Sequence, residues 1–163
     1  MTYSLENIAD SIAGVLKARY PDYPVYTSAS QQGTEFPCFF VFFMPSSIRG
    51  EIGRKYFQDL GVDVIFVQQR NVVNGNDAIL EIAQFLDENM GSIPYTDGSG
   101  ALIPLHTMER QWQMEDQELH YQFHIRQRVA AEYRPLYMKE MEEDNASIKK
   151  EGTVKTGRAG GRG

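Results

Sequence analysis

In residues 119–129 apolar and polar side chains trade places. Leu119, Tyr121, Phe123, Ile125 and Val129 stand on one parity, and His120, Gln122, His124, Arg126 and Arg128 on the other. Successive side chains of a β-strand point to opposite faces, so this spacing predicts a strand with one face in a core and the other toward water. Such a strand obliges the chain to supply partner strands and an apolar layer over one face. A hairpin partner lies just upstream at Leu102–Met114, joined through Glu115-Asp116-Gln117-Glu118. A second long partner is expected at Lys55–Gln69. There Tyr56, Leu60, Val62, Val64 and Phe66 share one parity, while Asp59, Gly61 and Asp63 keep the middle of the other polar.

Two amphipathic helices are expected to form the cover. Leu5, Ile8, Ile12, Val15, Leu16 and Tyr20 recur at steps of three and four, with Ser4 placed as N-cap and Pro21 as a stop. Ile79, Leu80, Ile82, Ala83, Phe85, Leu86 and Met90 repeat the pattern between Asn74-Gly75-Asn76 and Gly91. Pro24–Ala29 reads as a short strand and Gln31-Gln32-Gly33 as a turn. Pro37-Cys38-Phe39-Phe40-Val41-Phe42-Phe43-Met44 is apolar on both parities, which predicts a central strand with both faces covered. Ser46–Ile52, polar and set between Pro45 and Gly53, reads as an exposed loop, and Pro94–Gly100 as turns. The fold class expected is α+β: a mixed or antiparallel sheet of about five strands, two helices on one face, in the order α-β-β-β-α-β-β, plus a C-terminal extension.

That domain is expected over residues 1–132, with an arm over 133–163. The arm is charged, with Leu136, Met138 and Met141 spaced for a short helix, and its last twelve residues hold five glycines, a composition that builds no core. Residues 1–132 carry nine Lys and Arg against 17 Asp and Glu, a net of −8, and the arm carries seven against five. An acidic body argues against a general nucleic-acid binder. One cysteine excludes an internal disulfide framework and multi-cysteine metal sites. The longest apolar run, Phe36–Met44, is about half of what a bilayer needs, and Met1-Thr2-Tyr3-Ser4-Leu5-Glu6 lacks the order of a signal peptide. The expectation is a soluble protein made in a reducing cytosol, with no membrane partner.

Chemistry is sparse. Cys38 sits mid-strand without a nearby cation, the setting of a packed, inert thiol. His120 and His124 are four apart, a metal-ligand spacing on a helix, but on a strand they stand about 13 Å apart, too far to share an ion. His106 stands alone, and Asp59/Asp63 and Glu115/Asp116/Glu118 read as solvated charge. No phosphate loop, nucleophile elbow or His-Glu-x-x-His run occurs. No catalytic, cofactor-binding or metal residue is assigned, and the chain is not read as an enzyme.

The order of features carries more. An amphipathic helix ends in Tyr20-Pro21, a short strand follows around Val25-Tyr26, and Gln32-Gly33 leads on to Pro37-Cys38-Phe39-Phe40. Gly53-Arg54-Lys55-Tyr56 then enters a strand carrying Asp63-Val64, and a pair of strands closes the body. Over roughly residues 5–132 this resembles the tail terminator proteins of tailed bacteriophages and phage-tail-like particles.

The resemblance implies a structural virion protein. Such proteins form a hexameric ring on the last ring of the tail tube, end tube polymerisation and give the head its joining surface at the neck. It implies partners in further copies of the chain, the tube protein, and a sheath or head-completion protein, with DNA only as passing cargo. It places the protein in the virion tail, assembled in the cytoplasm of a bacterial host. Partner contacts are expected at Ser46, Ser47, Arg49, Glu51 and Arg54 in the first loop. In the arm, Val154 begins a segment able to add a strand to a partner sheet, and Arg158 and Arg162 offer cations to acidic groups. Two other readings stay open: a head-side connector, stopper or baseplate component of the same particle, and a cytosolic ligand-binding module.

Overall fold

The computed structural model describes residues 3–28 and 33–130. Helix α1 spans Leu5–Arg19, starting where the Ser4 hydroxyl accepts a hydrogen bond from the Asn7 amide and ending where the Tyr20 amide bonds back to Leu16. Its stripe of Ile8, Ile12 and Leu16 is fully buried. Helix α2, Gly75–Asn89, buries Ile79, Ile82, Ala83 and Leu86. Asn74 stands at its N-cap position in a left-handed conformation, without a side-chain cap bond.

Among the described residues eight strands accompany them: β1 (Val25–Tyr26), β2 (Cys38–Phe43), β3 (Ser47–Glu51), β4 (Lys55–Val67), β5 (Ser92–Thr96), β6 (Leu102–His106), β7 (Met108–Glu115) and β8 (Glu118–Ala130). A six-stranded sheet runs β1-β2-β4-β8-β7, with β3 also on β4, and β5-β6 form a separate pair. The spine is β4 against β8, antiparallel over thirteen pairs from Lys55↔Ala130 to Val67↔Glu118. One face of the spine carries Leu60, Val62, Val64 and Phe66 beside Ile125, Phe123, Tyr121 and Leu119, all at most 2% exposed. Both helices and Ile93, Tyr95 and Leu105 of the small sheet meet that face in one core. Each fully buried Ile, Leu or Phe there contributes roughly 1.5–3 kcal/mol over leaving it in water. Among the described residues the other face carries no helix.

The α+β class and its helix cover hold, while the strand count differs. Ser47–Glu51 is a strand, not a loop, and it continues β2. The Met44 amide still bonds to the Gly61 carbonyl at 2.9 Å, and the next pair is Ser47↔Asp59. Pro45 and Ser46 therefore face Leu60 alone, a one-residue β-bulge, and Pro45 has no amide proton to lose there. The bulge hides the strand from pattern reading because it reverses the parity. Leu102–Met114 likewise divides at Thr107 into β6 and β7, which join different sheets. Part of the expected turn at Pro94–Gly100 is strand β5. The observed order is α-β-β-β-β-α-β-β-β-β.

Strand β2 is not sealed on both faces. Phe39 and Val41 are buried, while Phe40 and Phe42 lie half-buried on the helix-free side. There they cover one another, rings nearly parallel at 5.6 Å, with Tyr26 beside Phe40 at 5.4 Å. The β7–β8 turn falls where expected, with Asp116 and Gln117 both at positive φ, the geometry of a tight two-residue hairpin. Gln31 and Gln32 of the Gln-Gly turn, and all of 131–163, lie outside the described residues.

Candidate functional site

The first-loop residues come together on one exposed β-hairpin. Every residue of β3 is exposed, and the turn Ile52-Gly53-Arg54 joins it to β4, with Glu51 paired to Lys55. Gly53 and Arg54 both take positive φ, 85° and 58°; glycine does so without strain, and arginine carries a local cost at the tip. Ser47, Arg49 and Glu51 share the helix-free side, following the outward parity of their partners Asp59, Phe57 and Lys55. The Arg49 guanidinium lies 5.5 Å from the Phe57 ring centre, and Arg128 Nε reaches Glu51 Oε2 at 3.3 Å. Ile48 turns to the other side at 62% exposure, and Ile52 at the tip is wholly exposed. Ser46 sits in the bulge, exposed. Val154, Arg158 and Arg162 lie outside the described residues.

The helix-free sheet face holds a network that the sequence did not disclose. Asp59 accepts from His124 Nδ1 at 2.7 Å and from Arg126 Nε at 3.0 Å, and Arg126 Nη2 continues to Glu109 at 2.8 Å. Asp63 sits 3.1 Å from His120 Nδ1 and accepts from Gln122 at 3.3 Å, while His120 Nε2 faces Glu118 at 3.3 Å. Partial burial alone would raise the Asp59 pKa, but its bonds to His124 and Arg126 outweigh that and hold the carboxyl below its ordinary value. Partial burial opposes protonation of His120 as well, yet Asp63 and Glu118 overcome it and raise its pKa. His120 and His124 each face their own carboxylate on β4. Among the described residues no group of three or more His, Cys, Asp and Glu is placed to hold a metal ion. Cys38 is fully buried, and burial pushes its thiol up to about 11, away from nucleophilic chemistry at neutral pH.

A groove of about 730 Å³ opens between α1 and the β5–β6 pair, lined by Asp10, Gly14, Val15, Phe85, Pro94 and Leu102 among others. Sequence reading missed it because β5 and β6 were not recognised as a hairpin. Leu102 stands on the groove's rim, apolar and 69% exposed at the start of β6.

Among the described residues the chain thus displays an exposed hairpin, a sheet edge at β7 and a groove beside α1. Among the described residues no helix is long and apolar enough to cross a membrane. No curated protein matches the chain. A family model described as phage tail terminator protein matches residues 7–135, which includes both helices and all eight strands save the first two residues of α1. The chain belongs to the phage tail terminator family, and it is a structural component of a phage tail.

Proposed function

We propose that this protein closes as a hexameric ring on the last ring of the tail tube, stops tube polymerisation and presents the neck surface to which a head is joined. The observation that carries the reading is the family match across residues 7–135, the whole of the described body but for its edges. The exposed surfaces support it, since a closed ring of identical subunits needs two different patches on each copy, one meeting the other on its neighbour. An open hairpin edge against a helix of the next copy meets that need. The protein acts without catalysis or cofactor. Its partners are its own copies, the tube protein, a sheath or head-completion protein, and DNA as cargo that an acidic body repels. Its place is the virion tail after assembly in the bacterial cytoplasm.

Residues 1–132 form the ring body in this reading, and 133–163 the arm that holds a neighbouring tail protein through Val154, Arg158 and Arg162. The test is reconstitution with tube protein followed by negative-stain imaging. Six-fold caps and tails of uniform length are expected, and the double variant Arg49→Glu/Arg54→Glu is expected to fold normally while tail length loses its control. A well-behaved monomer that never caps tube ends would overturn the proposal.

A further inference from the structure

Two features of one subunit match each other in chemistry but sit on different elements. The hairpin over residues 47–56 carries Arg49, Arg54 and Lys55 against Glu51, a net of +2, while the remaining residues of 1–132 carry a net of −10. It is a basic projection on an acidic body, and it ends in Ile52, wholly exposed, with Ile48 behind it at 62%. Neither Arg49 nor Lys55 makes an ion pair among the described residues.

The groove beside α1 is the complement. Its walls are Val15, Phe85, Pro94 and Leu102, with Leu102 69% exposed on the rim. Gly14 forms an open stretch of its floor: a Cβ built there would meet nothing within 4 Å. Of its charged lining, Arg19 is already engaged by Glu81 at 3.3 Å, and Asp10 makes no ion pair among the described residues. An apolar wedge flanked by cations fits an apolar slot flanked by a carboxylate.

We propose that the Ile52 turn of one subunit seats in the α1–β5–β6 groove of a second copy, with Ile52 against Val15, Phe85 and Leu102 and with Arg49 and Lys55 toward Asp10. The inference rests on the ring reading and names the two patches that meet. Because the patches differ, each copy keeps one of each for the next neighbour, so the contact propagates round a ring and does not stop at a dimer. The second copy is the occupant because its matching charge and shape are present on this same chain.

The experiment uses the full chain carrying Ile52→Cys together with Gly14→Cys, Cys38 being fully buried and out of play. Disulfides form only where Cα atoms approach to about 4.4–6.8 Å. Mild oxidation is expected to yield linked chains up to ring size on non-reducing gels, and either single variant nothing beyond a dimer. Mass measurement scores ring formation separately. Rings without the linked ladder overturn the docking and leave the ring reading intact, whereas a chain that forms no ring alone or on tube ends removes both. Cross-links to tube protein in place of the Gly14 position also overturn it. As a variant that spares the subunit, Gly14→Leu adds a side chain into the open groove of a helix. It is expected to keep its melting temperature and to raise the concentration for ring assembly at least about tenfold. Arg49→Glu/Lys55→Glu is expected to weaken assembly likewise, and adding Asp10→Arg to restore it; failure of that restoration counts against the pairing.

Discussion

One end of the β4–β8 ribbon is a core and the other is a tool. From Leu60 to Phe66 the ribbon lies under both helices with its inner side chains at most 2% exposed, whereas from Lys55 to Asp59 it continues the same ladder beside β3, whose five residues are all exposed. Backbone pairing is equally complete in both halves. What separates them is the second layer: α1 and α2 cover one end, while at the other Tyr56 to Asp59 are only partly buried and Val129 alone is sealed, at 1% exposure. Hydrogen-bonded strands set the shape of this molecule, and helix cover decides where that shape is used for stability and where for contact.

The strongest way to sharpen that contrast is to truncate one apolar side chain in each half. Phe66→Ala is expected to cost about 3–5 kcal/mol of unfolding free energy, because Phe66 is 1% exposed and packs its ring, tilted, 5.1 Å from that of Phe39. Ile52→Ala is expected to stay within about 0.5 kcal/mol of the parent in the same urea titration, its harm showing only in assembly. Equal losses would erase the division.

A second variant strikes the junction. A Cβ on Gly61 would stand 2.9 Å from Met44 Cβ, a contact with the root of a side chain rather than its mobile end. Gly61→Val is expected to cost about 1–3 kcal/mol by forcing the bulge apart. Combining it with Met44→Gly should recover part of that loss; full additivity of the two would show that the close approach is not the cause.

The smallest expected effect is on the polar face. The raised pKa of His120 means that its pairing with Asp63 and Glu118 contributes fully below the unfolded value near 6.5 and is lost as pH rises through the folded value. Asp59, whose pKa is lowered, contributes above its unfolded value near 3.9 and is lost as pH falls through the folded one. His120→Gln should therefore destabilise by on the order of 0.5 kcal/mol more near pH 5.5 than near pH 8.5. A stability difference that does not change with pH would detach His120 from its carboxylates.

Where apolar spacing is regular, the sequence was transparent. The buried set of β8, the helix stripes save Leu5 and Leu80, which stand exposed, and the Asp116-Gln117 turn all follow from local period and turn chemistry. The misses have separate origins. Sequence shows parity but not register, so nothing announced that Asp59 would face Arg126 or that Asp63 would face Gln122, and the His–Asp contacts stayed hidden. β3 was concealed by the extra residue at Pro45-Ser46, and β5 by a proline and turn residues that edge pairing accommodates. Of the contact residues foreseen in the body, Ser47, Arg49, Glu51 and Arg54 do share one hairpin, reached through a mistaken loop.

That extra residue has a genetic consequence. Upstream of it, odd-numbered side chains such as Phe39 and Val41 enter the core, and downstream of it odd-numbered Ser47, Arg49 and Glu51 look outward. Losing a single codon at position 45 or 46 would leave one residue opposite Leu60, so the ladder would run without interruption from Met44 to Ser47↔Asp59 and the arginine face would keep its side. The bulge works as a splice between two reading frames of side-chain direction. A deletion there would straighten the strand while the packed body and the recognition tip each keep the faces they now show.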